Sequence, residues 1–220
     1  MIRVKICGVT NAADARAACE AGANLVGLNI FKGSPRHITS AAAAKIRSEL
    51  PPDVEAVGVF VNAEPVTVSE VCTSLKLSAA QLHGDESAHS VAEISKEVPV
   101  IKAFRVHLDF SLETLDEYAG AFAFLLDAAH AGQYGGTGHT TDWALARRAA
   151  ESRRIILAGG LKVENVAAAI RLVRPYGVDV ASGVESRPGK KDHGRVREFI
   201  QEVRRVEKQL EARLENAQEA

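Results

Sequence analysis

Arg154-Ile155-Ile156-Leu157-Ala158-Gly159-Gly160 and, starting 24 residues later, Val178-Asp179-Val180-Ala181-Ser182-Gly183 share one pattern: a short, mostly apolar run that stops in a glycine turn. Such runs suit parallel strands covered by helices. Six more precede them, at Arg3–Cys7, Leu25–Ile30, Glu55–Val61, Ala79–Leu82, Val98–Phe104 and Phe122–Asp127. The eight starts lie 22, 30, 24, 19, 24, 32 and 24 residues apart, room for a strand, a helix and two short loops each time. Alternating strand and helix signals give an α/β fold with a parallel sheet, and eight of them favour closure into a (β/α)8 barrel. A doubly wound open sheet satisfies the same alternation, because periodicity does not show whether the edges meet.

The stretches between the runs carry helix signals. Asn11-Ala12-Ala13-Asp14 supplies an N-cap and a first-turn acid, and Gly22 is placed to end that helix with a left-handed cap. Asn62-Ala63-Glu64-Pro65 opens another helix with a capping residue and an early proline. Val196, Phe199, Ile200 and Val203 fall on one face of a 3.6-residue period. We read one barrel domain over residues 1–206 and a charged helical tail over 207–220, with no linker between them.

The composition narrows the function. The 220 residues carry 27 Lys and Arg against 28 Asp and Glu, and a formal charge of −1 recommends neither nucleic acid nor an anionic membrane as partner. No apolar run approaches the ~18–20 residues of a membrane span. Cys7, Cys19 and Cys72 are too few for a disulfide framework. The opening Met1–Cys7 is too short and charged for a signal peptide, so a cytoplasmic location is expected.

In a (β/α)8 barrel, chemistry sits at the C-terminal ends of the strands. There the chain places Cys7-Gly8, the loop Gly33-Ser34-Pro35-Arg36, Gln81-Leu82-His83, Asp127 followed by Gly135-Gly136-Thr137-Gly138, Gly159-Gly160, and Ser182-Gly183 with Asp179 just before it. The turns after the last two strands are the usual phosphate cradle of this fold, where glycine lets the backbone approach an anion. Singly, each would read as an ordinary turn. Cys7 before Gly8 offers a thiol facing the pocket, a general base if a cation such as Lys5 or Arg36 lowers its pKa. Otherwise it is a small buried hydrophobe, the role assigned to Cys19 and Cys72 within helices. Asp127 ends an apolar run, where partial burial would suit a general acid, or it caps a loop. Arg36 can grip a carboxylate bidentately or sit in a surface ion pair. His83 orients substrate or closes a loop. No metal-ligand spacing, Walker loop or GxGxxG appears, so neither metal nor cofactor is expected, and an isomerase or lyase fits better than an oxidoreductase acting through a bound cofactor.

Lys5-Ile6-Cys7-Gly8-Val9-Thr10, Ser34-Pro35-Arg36, Gln81-Leu82-His83-Gly84-Asp85-Glu86, Leu157-Ala158-Gly159-Gly160-Leu161, Val178-Asp179-Val180-Ala181-Ser182-Gly183-Val184-Glu185 and Pro188-Gly189-Lys190-Lys191-Asp192 together resemble the phosphoribosylanthranilate isomerases of tryptophan biosynthesis. The likeness runs in order from about residue 2 to 200. It implies a barrel of the ribulose-phosphate-binding type and an aldose–ketose Amadori rearrangement of N-(5-phosphoribosyl)anthranilate to 1-(2-carboxyphenylamino)-1-deoxyribulose 5-phosphate. By the same likeness, Asp127 protonates the furanose oxygen and Cys7 removes the C2′ proton. Arg36 holds the anthranilate end, Gly159, Gly160, Ser182 and Gly183 hold the phosphate, and Asp179 bonds a sugar hydroxyl or supports the site. Gly135–Gly138 becomes a mobile cover.

Two rivals stay in view. The aminoaldose isomerase of histidine biosynthesis performs the same chemistry, but that family resembles a twofold repeat with an aspartate where this chain has Cys7, and no half-chain repeat is found here. A non-catalytic sugar-phosphate binder would lack the acid or the base, and both candidates are present. The partner expected is a small phosphorylated substrate, for a monomer or a homodimer.

Overall fold

Alternation along each strand decides what this chain builds, because successive side chains point to opposite faces. The structure, a computed structural model, describes residues 1–106, 110–127 and 140–218. Its strands are β1 (Arg3–Cys7), β2 (Leu25–Asn29), β3 (Glu55–Phe60), β4 (Ala79–Leu82), β5 (Val100–Arg105), β6 (Ala123–Asp127), β7 (Ile155–Ala158) and β8 (Gly177–Val180). They pair in parallel in sequence order, and β8 returns to β1 with Lys5 opposite Asp179, so the sheet closes into a barrel. The open-sheet alternative falls with that closure.

Among the described residues eight α-helices follow the strands: α1 (Ala12–Glu20), α2 (Ser40–Glu49), α3 (Pro65–Ser74), α4 (Ala88–Ile94), α5 (Thr114–Glu117), α6 (Thr140–Ala150), α7 (Val163–Val173) and α8 (His193–Gln218). One set of strand side chains, Ile6, Val26, Leu82, Leu126 and Leu157 among them, packs outward against these helices. The alternate set fills the barrel with small and branched residues such as Val57, Ala79, Ile101, Leu125 and Ile156. Toward the strands' C-terminal ends this inward set turns polar, with Cys7, Gln81, His83, Asp127 and Asp179. That change of character positions the site.

Local chemistry accounts for the details. Asn11 caps α1 by accepting from the Asp14 N–H, and Gly22 takes a φ of +96° just beyond that helix. Strand β5 begins at Val100, later than its apolar run suggests, because Pro99 has no N–H to give a ladder. Asn62 departs from the expected capping pattern. Glu64 is the capping residue of α3 and makes no side-chain bond there, whereas Asn62 adopts a left-handed φ of +49° and accepts from the Asp85 N–H across to the next loop.

After β8 come a 3-10 turn at Ser182–Val184 and a hairpin, β9 (Glu185–Arg187) with β10 (Lys190–Lys191), which sequence reading did not anticipate. Helix α8 buries Val196, Phe199, Ile200 and Val203 and runs without interruption past Val206. Glu207 there accepts from the Ile2 N–H, and Arg204 donates to the Ile2 carbonyl at 2.7 Å. A cavity of about 330 Å³ lined by Arg3, Glu55, Phe122 and Tyr176 lies at the N-terminal end of the barrel, away from the strand ends where the polar residues gather.

Candidate active site

Strand β1 sends Lys5 and Cys7 inward, two residues apart on one face. The Lys5 ammonium, 1% exposed, donates to Asp179 Oδ1 at 2.9 Å and lies close enough to Cys7 for the two groups to influence each other's charge. Room for both groups comes from Gly27, which faces Cys7 across the β1–β2 ladder. A methyl group there would lie 2.8 Å from Cys7 Sγ and 3.0 Å from Lys5 Nζ. Burial pushes the Cys7 thiol up, the Asp179 carboxylate adds to that, and Lys5 and Lys191 oppose it without prevailing. For Lys5, burial works against the charge, yet Asp179 and Cys7 together hold its pKa above the ordinary lysine value.

Arg36 leaves the β2–α2 loop and lays its stem against Gly8, whose φ of +71° and missing side chain make that approach possible. Its guanidinium clasps Glu185 bidentately, Nε to Oε1 at 2.8 Å and Nη2 to Oε2 at 2.6 Å. Lys191 Nζ donates to the same Oε1 at 2.8 Å and to the Ala181 carbonyl at 3.1 Å. Burial would raise the Glu185 carboxyl, but Arg36 and Lys191 outweigh it and hold the pKa below the usual glutamate range. Burial pulls Lys191 below the usual lysine range, against the attraction of Glu185.

On the other side of the mouth, Gln81 Nε2 lies 2.8 Å from His83 Nδ1. With the amide donating in this way, the neutral imidazole carries its proton on Nε2, which faces Asp127 Oδ2 at 3.8 Å. Asp127 ends β6, partly exposed, three strands round the ring from Cys7. Gln81 Oε1 is buried and finds no protein partner among the described residues.

The turn after β7 is made by two left-handed glycines, Gly159 at φ +82° and Gly160 at φ +63°. Nothing stands within 4 Å of the place a Gly160 side chain would occupy, so the backbone there borders open space. Asn165 in the first turn of α7 fixes this bend, donating to the Gly160 carbonyl at 2.9 Å and accepting from the Lys162 N–H at 2.8 Å. Gly183 packs so tightly on the Leu161 carbonyl that no side chain fits, which locks the turn after β8 to the turn after β7. Together they border open space beside the N-terminus of α7, a place suited to an anion.

Thus Cys7, Arg36, His83, Asp127, Asp179, Gly159, Gly160, Ser182 and Gly183 all stand at one end of the barrel. Arg36 departs from its expected pose: in this structure it holds an internal carboxylate. Asp179 is engaged by Lys5. The Gly135–Gly138 segment lies outside the described residues. Sequence reasoning gave no role to Glu185, Lys191 or Gln81; an arginine at a mouth signals that some anion holds it, but not which one. Among the described residues no group of three or more His, Cys, Asp and Glu is arranged to hold a metal ion.

The family model for N-(5'-phosphoribosyl)anthranilate (PRA) isomerase matches residues 4–202. An N-(5'-phosphoribosyl)anthranilate isomerase of Trichlorobacter lovleyi is 49% identical over 205 residues, 93% of this chain and 98% of that one. A phosphoribosyl anthranilate isomerase crystallised with reduced 1-(o-carboxyphenylamino)-1-deoxyribulose 5-phosphate superposes with a TM-score of 0.83 at 41% identity, covering 93% of this chain and 99% of that one. A structure of monomers generated from the dimeric Thermotoga maritima enzyme gives a TM-score of 0.82 at 40% identity, with the same coverage.

Proposed function

The chain belongs to the N-(5'-phosphoribosyl)anthranilate isomerase family, and from that premise we propose that Cys7 and Asp127 carry its two proton transfers. The activity is an Amadori rearrangement, an aldose–ketose isomerisation in tryptophan biosynthesis. Its chemistry needs an acid at the furanose ring oxygen and a base at C2′, placed on different sides of the sugar. Cys7 on β1 and Asp127 on β6 face the same mouth from separated strands, and that placement carries the reading.

In this reading Asp127 delivers a proton to the ring oxygen and opens the ring to a Schiff base. The His83 Nε2–H beside Asp127 steadies the carboxylate left behind. Cys7, as thiolate, takes the C2′ proton to give an enolamine, which tautomerises to the ketone. Burial keeps the resting thiol protonated, so the Lys5 ammonium against the sulfur matters when charge develops there. Arg36 meets the anthranilate carboxylate with the donors that Glu185 leaves free, and the backbone at Gly159, Gly160, Ser182 and Gly183 receives the phosphate. Asp179 holds Lys5 and has an oxygen available to a sugar hydroxyl.

The remaining assignments are our own as well. We take the chain as a barrel over residues 1–206 with a charged helical extension over 207–220, as a monomer or a homodimer like the dimeric Thermotoga maritima relative, in the cytoplasm. No helix among the described residues is long and apolar enough to cross a membrane.

The test is the loss of anthranilate fluorescence when phosphoribosylanthranilate, made in situ, meets wild type, Cys7→Ser and Asp127→Asn. Each substitution lowers kcat by about 10²–10⁴-fold. Activity within tenfold of wild type in either variant removes that residue from the mechanism.

A further inference from the structure

Glu185 and Lys191 form the ends of the β9–β10 hairpin, and neither enters the proton transfers. Yet both side chains are buried, 3% and 0% exposed, with Glu185 paired to Arg36 and Lys191 paired to Glu185. The register sets Lys191 opposite Glu185. Oε1 of Glu185 then accepts from Arg36 Nε at 2.8 Å, Lys191 Nζ at 2.8 Å and the Gly189 N–H at 3.3 Å. An ion pair buried this thoroughly is costly, and a two-stranded hairpin does not need one to form.

The arrangement makes sense at the neighbouring arginine. Arg36 alone, on a flexible stem, would waste binding energy on being ordered. Glu185 orders it, but a bidentate carboxylate also cancels its charge, and a neutral pair attracts an incoming carboxylate poorly. Lys191 on the same oxygen resolves this conflict. Two cations and one anion leave a net positive charge, and the guanidinium keeps the N–H groups that Glu185 does not occupy.

We propose that Glu185 and Lys191 are positioning residues for the carboxylate-bearing ring of the substrate: Glu185 fixes the Arg36 guanidinium over Gly8, and Lys191 neutralises Glu185 so that the triad faces that carboxylate with net positive charge. The proposal rests on the reading of Arg36 as the group that holds the anthranilate end.

The test is equilibrium binding by calorimetry of two non-reacting ligands, the reduced product analogue and its counterpart made from aniline, which lacks the carboxylate. The ratio of their affinities is the carboxylate preference, and it does not depend on Cys7 or Asp127 performing chemistry. Arg36→Met brings the ratio close to one; if it does not, the reading of Arg36 itself fails. Lys191→Gln keeps an amide for Glu185 but removes the charge, and lowers the ratio about tenfold, the size of a charged hydrogen bond lost. Glu185→Gln/Lys191→Gln, with both charges gone but an amide oxygen at 185 still accepting from Arg36 to hold it in place, returns it to within about threefold of wild type. With Arg36→Met behaving as stated, an unchanged ratio in Lys191→Gln overturns the proposal. So does failure of the double variant to recover, and that outcome decides the matter even if the single variant does not fold.

Discussion

Lys5 and Lys102 are both almost wholly buried, and each holds a carboxylate at hydrogen-bond distance, Asp179 at 2.9 Å and Glu86 at 2.8 Å. Their surroundings differ. Lys102 faces outward from β5 beneath the β4–α4 loop, where its ammonium also meets the carbonyls of Gly84 at 2.7 Å and Ala103 at 3.2 Å. Glu86 in turn accepts from the Asn62 and Gly84 N–H groups. Charge and hydrogen-bonding capacity are both used up on backbone, so the pair acts as a staple between the β3 and β4 loops. Lys5 faces inward, where its ammonium holds a carboxylate and acts electrostatically on the Cys7 thiol. A saturated buried pair holds the fold, whereas one that borders a reactive atom can change charge with its neighbour.

The strongest challenge to this contrast is Lys102→Met. Glu86 then stays buried without its cation, and stability to denaturant falls by about 3–5 kcal/mol. The protein that remains folded keeps kcat within a few fold, because neither Cys7 nor Asp127 touches the staple. A stability loss under 1 kcal/mol together with a collapse of kcat would reverse the assignments of the two lysines.

Glycines in neighbouring strands sharpen the comparison next. A methyl group on Gly27 would crowd Cys7 Sγ at 2.8 Å and the Cys7 Cα at 3.0 Å, while one on Gly58 would crowd Leu77 at 2.7 Å and Phe60 at 2.8 Å. Both substitutions overpack and cost about 1–3 kcal/mol in thermal or denaturant unfolding. Gly27→Ala alone also displaces the thiol, and lowers kcat by about a hundredfold. Equal kcat in the two variants would show that the space beside Cys7 serves packing only.

Most of this was legible in the chain, for reasons that differ by residue. The strands were readable because a helix-covered parallel strand is apolar throughout, as Ile155-Ile156-Leu157-Ala158 is. The site was legible where the fold's geometry converts strand ends into a mouth, which collected Cys7, Asp127 and the glycine turns. The Arg36–Glu185–Lys191 cluster was not legible, since its members lie up to 155 residues apart and meet only when β8 closes against β1. Asn62 misled in a similar way: its partner Asp85 belongs to another loop, and local capping preference lost to that contact.

Smaller effects separate the charges that face Cys7. Asp179 and burial push the thiol up, and Lys5 pulls it down. Lys5→Met therefore raises the pKa at which Cys7 begins to react with iodoacetamide, and Asp179→Asn lowers it. The measurement uses a Cys19→Ala background, and Cys72 stays silent because burial pushes its thiol up to about 12. Shifts in the same direction for both variants would break the claim that the two charges oppose each other at the sulfur.

The smallest effect is the acid limb of stability. Glu185 titrates below the 4.5 of an unperturbed glutamate because Arg36 and Lys191 overcome its burial. The unfolded chain therefore binds this proton first, and the stabilisation present above pH 4.5 is lost as the pH falls through the lower, folded-state value. Asp14 acts in the same direction from 3.8, held down against burial by the Lys191 N–H and His193. In Glu185→Gln/Lys191→Gln the Glu185 contribution disappears and the Asp14 contribution stays, so unfolding midpoints measured from pH 6 downward decline less steeply than in wild type. An unchanged slope would mean that the Glu185 carboxylate gains nothing from its two cations, and the contrast between saturated and shared pairs would then lose its counterpart at the mouth of the barrel.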